Sequence, residues 1–95
     1  MNIIIAGGGK VGRYLAEQLS YEGHDITLID QRPQVIQTMT NQVDIQGIVG
    51  NCASYNIQKD AGIETADLFI AVTGSDELNL LCCLIAKKAG DCHTI

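Results

Sequence analysis

Basic residues are scarce in this chain. Six Lys and Arg stand against eleven Asp and Glu, a formal net charge of −5. Nucleic acid and anionic membrane surfaces both require clustered cations, so neither is an expected partner. Long hydrophobic runs are also missing. The longest, Leu80 to Ala86, has seven residues, against the ~18 or more of a membrane-spanning segment. The opening Met-Asn-Ile-Ile-Ile-Ala-Gly has no basic region and meets glycine after four apolar residues, so it does not read as a signal peptide. The expectation is a soluble, cytosolic chain.

Metal and redox signatures are equally thin. Cys52, Cys82, Cys83 and Cys92 include no C-x-x-C pair and no His at zinc-ligand spacing. Cys92 and His93 are neighbours, but two ligands do not make a site. The cysteines read as reduced thiols used as small apolar residues. What the sequence does have is core material: 46% of its 95 residues are apolar and 18% are charged. That is enough for one packed domain and argues against disorder.

The order of elements is regular. Asn2–Ala6 is a β-branched run that stops at glycine, as a strand buried on both faces does. Val11, Leu15, Ala16 and Leu19 then recur at helical spacing through Lys10–Glu22, and Gly23 supplies a stop. Further strands are expected over Asp25–Ile29, Ile45–Val49 and Asp67–Val72, with a fifth starting near Cys92. Helices are expected over Pro33 to about Gln42, Ser54–Ala61 and, capped by Ser75, Asp76–Ala89. Alternating strands and helices with short connections mean right-handed βαβ crossovers. The predicted fold is α/β, a Rossmann-like doubly wound parallel sheet of strand order 3-2-1-4-5. Because the sequence stops inside the fifth strand, residues 1–95 are expected to be one domain of a C-terminally truncated chain.

Gly7-Gly8-Gly9-Lys10-Val11-Gly12 fits G-x-G-x-x-G between a strand and a helix. Gly7 permits the tight turn, Gly9 lets backbone approach a pyrophosphate, and Gly12 lets the helix pack on the sheet. The helix then offers free N–H groups and a partial positive charge to the anion. Asp30 follows Gly12 by eighteen positions, close to the ~20 expected of an acid that holds ribose hydroxyls. A carboxylate there favours NAD(H) over NADP(H), although Arg32 is placed to meet a 2′-phosphate or an adenine face.

Two further loops leave the carboxyl ends of strands. Thr73-Gly74 lies beside the crevice where dinucleotides sit. Asn51-Cys52 follows the third strand and reads either as an adenine contact or as ordinary turn chemistry. Lys10 and Arg13 read either as phosphate contacts or as plain helix surface. No catalytic constellation can be assembled: His24 is remote from the crevice, and no Ser-His-Asp set or carboxylate pair exists. The last helix is apolar nearly all round, from Leu78 to Ala86, which suits a contact between subunits.

Three stretches carry a resemblance. Met1 to Gly12, Gly23-His24-Asp25-Ile26-Thr27-Leu28-Ile29-Asp30 and Ala71-Val72-Thr73-Gly74-Ser75-Asp76-Glu77-Leu78-Asn79 resemble the RCK/KTN domain, over the whole chain. The resemblance implies a non-catalytic regulatory domain of a bacterial Trk-type potassium-uptake system. Such domains form homo-oligomeric rings on the cytoplasmic face of a membrane-embedded potassium-transporting subunit, where bound nucleotide biases gating. It implies NAD(H), or ATP/ADP in the same groove, with Gly7, Gly8, Gly9, Lys10 and Val11 cradling phosphate. By the same resemblance Asp30 holds ribose and Thr73 and Gly74 line the groove. Asn51 stands where the family often has Asp, which weakens the adenine contact expected there. The alternative is the cofactor half of an NAD-dependent oxidoreductase whose catalytic domain lies elsewhere.

Overall fold

The computed structural model describes residues 1–95. The elements are β1 (Asn2–Ala6), α1 (Lys10–Tyr21), β2 (Asp25–Asp30), α2 (Pro33–Gln42), β3 (Gln46–Val49), α3 (Tyr55–Asp60), β4 (Leu68–Ala71), α4 (Asp76–Ala89) and β5 (His93–Thr94). They form one sheet in the order β3-β2-β1-β4-β5, and every pairing is parallel. This is the Rossmann-like order expected from the sequence.

Handedness explains the layering. The chain moves one way across the sheet from β1 to β3, then jumps back past β1 to β4. With every crossover right-handed, that reversal puts the later helices on the opposite face. The core divides accordingly. Ile3, Ile5, Ile26, Leu28 and Ile70 pack with Ala16 of α1 and Ile36 and Met39 of α2. Ile4, Ala6, Ile29 and Phe69 pack on the other face with Ala61 and with Cys82 and Ala86 of α4. Alternate residues of β1 thus feed two cores, which is why its sequence is apolar from Ile3 to Ala6.

Element ends differ from expectation by a residue or two. Ser54 is a cap that accepts from the Ile57 N–H, so α3 starts at Tyr55, whereas α4 runs over Asp76–Ala89 with Ser75 as its cap, as expected. β3 starts at Gln46, and its Gly47 is there for space, since a Cβ would run into Ile36 and Thr40 of α2. The fifth strand is two residues long, though Ile95 still exchanges bonds with Phe69 and Ala71 at 2.9 and 3.0 Å. On α4, Cys82 and Ala86 are buried while Leu80, Leu81 and Leu84 remain exposed.

One polar residue lies wholly inside. Gln58 of α3 has no exposed surface, and its Nε2 donates to the carbonyl of Cys52 at 2.8 Å and to that of Cys82 at 3.1 Å. It ties the loop after β3 to the middle of α4, while its Oε1 has no partner. Truncation removes both bonds, leaves the Cys52 carbonyl without its donor and opens a void. Gln58→Ala is expected to destabilise the fold by about 2–4 kcal/mol, read as a lower midpoint in urea unfolding. An unchanged midpoint would show that the staple carries no weight.

Candidate functional site

A cleft of about 300 Å³ opens at the carboxyl ends of the strands, the end where ligands sit in open α/β sheets. It is lined by Gly7, Gly8 and Gly9, by Asp30, Gln31 and Arg32 after β2, by Gly50 and Cys52 after β3, and by Val72, Thr73 and Gly74 after β4. Ile29 and Leu78 complete its lining. A larger hollow of about 560 Å³ lies at the amino ends, among Asp25, Asp44 and Asp60. Its one glycine, Gly62, ends a helix rather than opening one, so the smaller cleft, with a glycine turn that leads into a helix N-terminus, is the candidate site.

The loop's glycines separate by task. Gly7 has φ of +115°, and a Cβ there would stand 2.9 Å from Thr73 N and the Val72 carbonyl. A Cβ on Gly12 would run into the Gly7 carbonyl, so α1 can lie this close to β1 only with glycine there. Gly8 is crowded as well, with Val35 Cγ1 at 2.5 Å and Asp30 Oδ2 at 3.1 Å from the same added atom. Gly9 is different: nothing lies within 4 Å of its missing Cβ.

Gly9 is also the N-cap of α1 and offers no capping side chain. The first helical bond of the loop region runs from Arg13 N–H to the Gly9 carbonyl at 2.9 Å. The amides of Lys10, Val11 and Gly12 therefore precede the hydrogen-bond ladder and carry the positive end of the helix dipole. The side chains of Lys10 and Val11 point away and are exposed, so their contribution to this cleft is backbone.

Asp30 sits opposite, nearly buried, with a saturated carboxylate. Its Oδ2 accepts from Gly8 N–H at 2.7 Å and from Arg32 Nη2 at 3.0 Å. Its Oδ1 accepts from Arg32 N–H at 2.8 Å and from Arg32 Nε at 2.9 Å. The Arg32 guanidinium is the chief cause that holds the Asp30 pKa down at about 2, helped by both backbone N–H groups and opposed by burial.

The remaining loops are mostly occupied with themselves. Thr73 donates its N–H and its hydroxyl to Asn79 Oδ1 at 2.8 and 2.6 Å, and Asn79 Nδ2 returns a bond to the Thr73 carbonyl at 3.3 Å. Asn79 is the lock on this loop, a role that its place in α4 conceals in the sequence. Gly74 faces open space. Asn51 lies outside the lining, and its Oδ1 accepts from Ala53 N–H at 2.9 Å to close a turn. Cys52 lines the floor, with its carbonyl turned inward to Gln58.

All four cysteines are free thiols and meet in one place, Cys52, Cys82 and Cys92 in a single core cluster with Cys83 against it. A hydrogen bond with Cys82 lowers the pKa of the Cys52 thiol, and the same bond together with burial raises that of Cys82.

The Asp30 geometry sets a pH dependence. A carboxylate whose folded pKa is depressed stabilises the fold above its unfolded pKa, near about 4, and loses that contribution as pH falls through about 2. The stability gap between the natural chain and Asp30→Asn should therefore be full at pH ~5 and shrink between about 4 and 2. Urea titrations across that range measure it, and a gap independent of pH would overturn the assignment.

Comparison with known proteins points one way. The family model of the TrkA-N domain matches residues 3–95. A Trk system potassium uptake protein TrkA from Azorhizobium caulinodans is 41% identical over 88 residues, 93% of this chain and 19% of the relative. A TrkA homolog from Archaeoglobus fulgidus is 44% identical over 90 residues, 95% of this chain and 20% of the relative. The chain thus spans about a fifth of the length of these relatives. Among solved structures, the GsuK channel bound to NAD superposes with a TM-score of 0.85 at 18% identity. That match covers 98% of this chain and 17% of the channel and shows likeness of fold alone. With a parallel sheet of order 3-2-1-4-5, a glycine turn at its carboxyl end and a family match over residues 3–95, the chain belongs to the TrkA-N domain family.

Proposed function

We propose that the cleft binds NAD(H) and that the bound nucleotide regulates a Trk-type potassium-uptake system. The observation that carries this is Gly9. Gly7 and Gly12 are demanded by the protein's own packing, whereas Gly9, before the uncapped α1 amides, and Gly74 have nothing beside them, in the same lining as Asp30. That space suits a pyrophosphate on the α1 amides, with a ribose on Asp30. Gly7, Gly8 and Gly9 with the Lys10 and Val11 amides would cradle phosphate, while Cys52, Thr73 and Gly74 bound the groove. Asn51 would act from the neighbouring turn, toward adenine. ATP or ADP would use the same phosphate contacts.

Regulation is favoured over catalysis because the lining holds no His, Lys or Tyr, the side chains that usually supply an acid or base beside a nicotinamide. In this reading residues 1–95 are one nucleotide-binding lobe of a longer subunit. The subunit is peripheral on the inner face of the membrane, partnered with the potassium-transporting subunit and assembled as a homo-oligomeric ring. The exposed Leu80, Leu81 and Leu84 of α4 suit contacts between copies. Coupling requires that nucleotide bind two ring states unequally, since equal affinity shifts nothing.

Calorimetric titration tests the site. NADH should bind, NADPH more weakly, and Asp30→Ala should weaken NADH by about tenfold or more, because hydrogen bonds to charged groups contribute about 1.5–3 kcal/mol each. Gly9→Ala should weaken binding with little change in stability, unlike Gly12→Ala, which should lose stability as well. A folded chain that takes no nucleotide refutes the site. In reconstituted membranes NADH and NAD⁺ should alter potassium flux, and flux indifferent to both despite demonstrated binding refutes the regulatory half.

A further inference from the structure

We infer that Arg32 is a built-in occupant of the ribose subsite, a guanidinium that stands where a ribose diol would bind and must be exchanged for it. This rests on the nucleotide-binding reading and deepens it. The geometry is specific. Each oxygen of Asp30 takes one bond from fixed backbone, Gly8 N–H on Oδ2 at 2.7 Å and Arg32 N–H on Oδ1 at 2.8 Å. Each takes its second from the guanidinium, Nη2 at 3.0 Å and Nε at 2.9 Å. The backbone bonds hold the carboxylate in place whether or not the side chain is there. The two remaining acceptor positions are filled by a pair of donors at the spacing of one planar fork. Neighbouring hydroxyls on a ribose present the same demand: two adjacent donors, one for each oxygen.

The two ends of the pair differ in freedom. Asp30's side chain is 8% exposed and Arg32's is 60% exposed, so the guanidinium can swing into water while the carboxylate stays. Solvent at the guanidinium end screens the pair, so the occupant is displaceable. It still competes: every nucleotide that binds must first release it. A guanidinium on the carboxylate also excludes stray cations from Asp30 when the cleft is empty. The fork thus raises the concentration of nucleotide needed to fill the site.

Arg32→Ala removes the competitor and keeps the backbone bond to Asp30. NADH affinity should rise by about two- to fivefold, the modest gain expected from removing a competitor whose charged end is screened by solvent. Arg32→Lys, with one compact ammonium in place of a fork, should gain less than Arg32→Ala. The gain should disappear with 2′,3′-dideoxy-ADP, which has phosphates but no diol, and should be present with ADP. Circular dichroism and a urea midpoint confirm that each variant is folded. Unchanged or weakened NADH binding in Arg32→Ala overturns the inference, weakened binding showing that the guanidinium contacts the ligand instead. An equal gain with the dideoxy probe overturns it too, because the competition would not be for the ribose. Asp30→Ala separates this from the underlying reading. If the natural chain binds NADH and Asp30→Ala does not, the site stands and only the role of Arg32 is in question. If neither binds, the site itself has failed.

Discussion

The hydrogen bond from Gly8 N–H to the Asp30 carboxylate is the joint on which the functional end of this molecule turns. It joins the tip of β2 to the loop that leaves β1, and it does so in a nearly buried position. Gly8 can approach that closely only without a side chain, since a Cβ would strike Val35 and crowd Asp30. Gly7 and Gly12 fix the other two sides of the turn against β4 and α1. With the loop pinned on three sides, the α1 amides hold a defined direction and the cleft has a floor before any ligand arrives. Preorganisation of this kind lowers the ordering cost of binding.

The same joint explains the electrostatics. A carboxylate bonded by two backbone amides and a guanidinium stays ionised well below the usual carboxylate range. The chain is acidic overall, yet the cleft wall opposite Asp30 consists of amide N–H groups rather than side-chain cations. Anion attraction here is short-ranged and directional.

Much of this was legible in the sequence, for identifiable reasons. Local patterns reveal strands that are apolar at every position, serine caps, and glycines at fixed spacing. The handedness rule converts their order into a topology. Asp30 was visible because the end of the second strand is a fixed distance from the glycine turn. What escaped was whatever depends on residues distant in the chain. Gln58 reads as a surface residue of a short helix, and only the packing of α3 against α4 turns it inward. Positions 52, 82, 83 and 92 give no hint that their side chains share one core cluster. Asn51 is drawn into its own turn, a competition between side chain and backbone that spacing does not reveal. Arg32 was read as a possible partner of a ligand's phosphate or base, and its fork instead closes on its own chain.

Gln58 has a mechanical consequence. One amide grips both the floor of the cleft, through the Cys52 carbonyl, and the middle turn of α4, through that of Cys82. Those two segments cannot separate without breaking a bond that no water is at hand to replace. A load applied to the outward leucines of α4 is therefore borne partly by the wall of the cleft, and strain at that wall is felt along the helix.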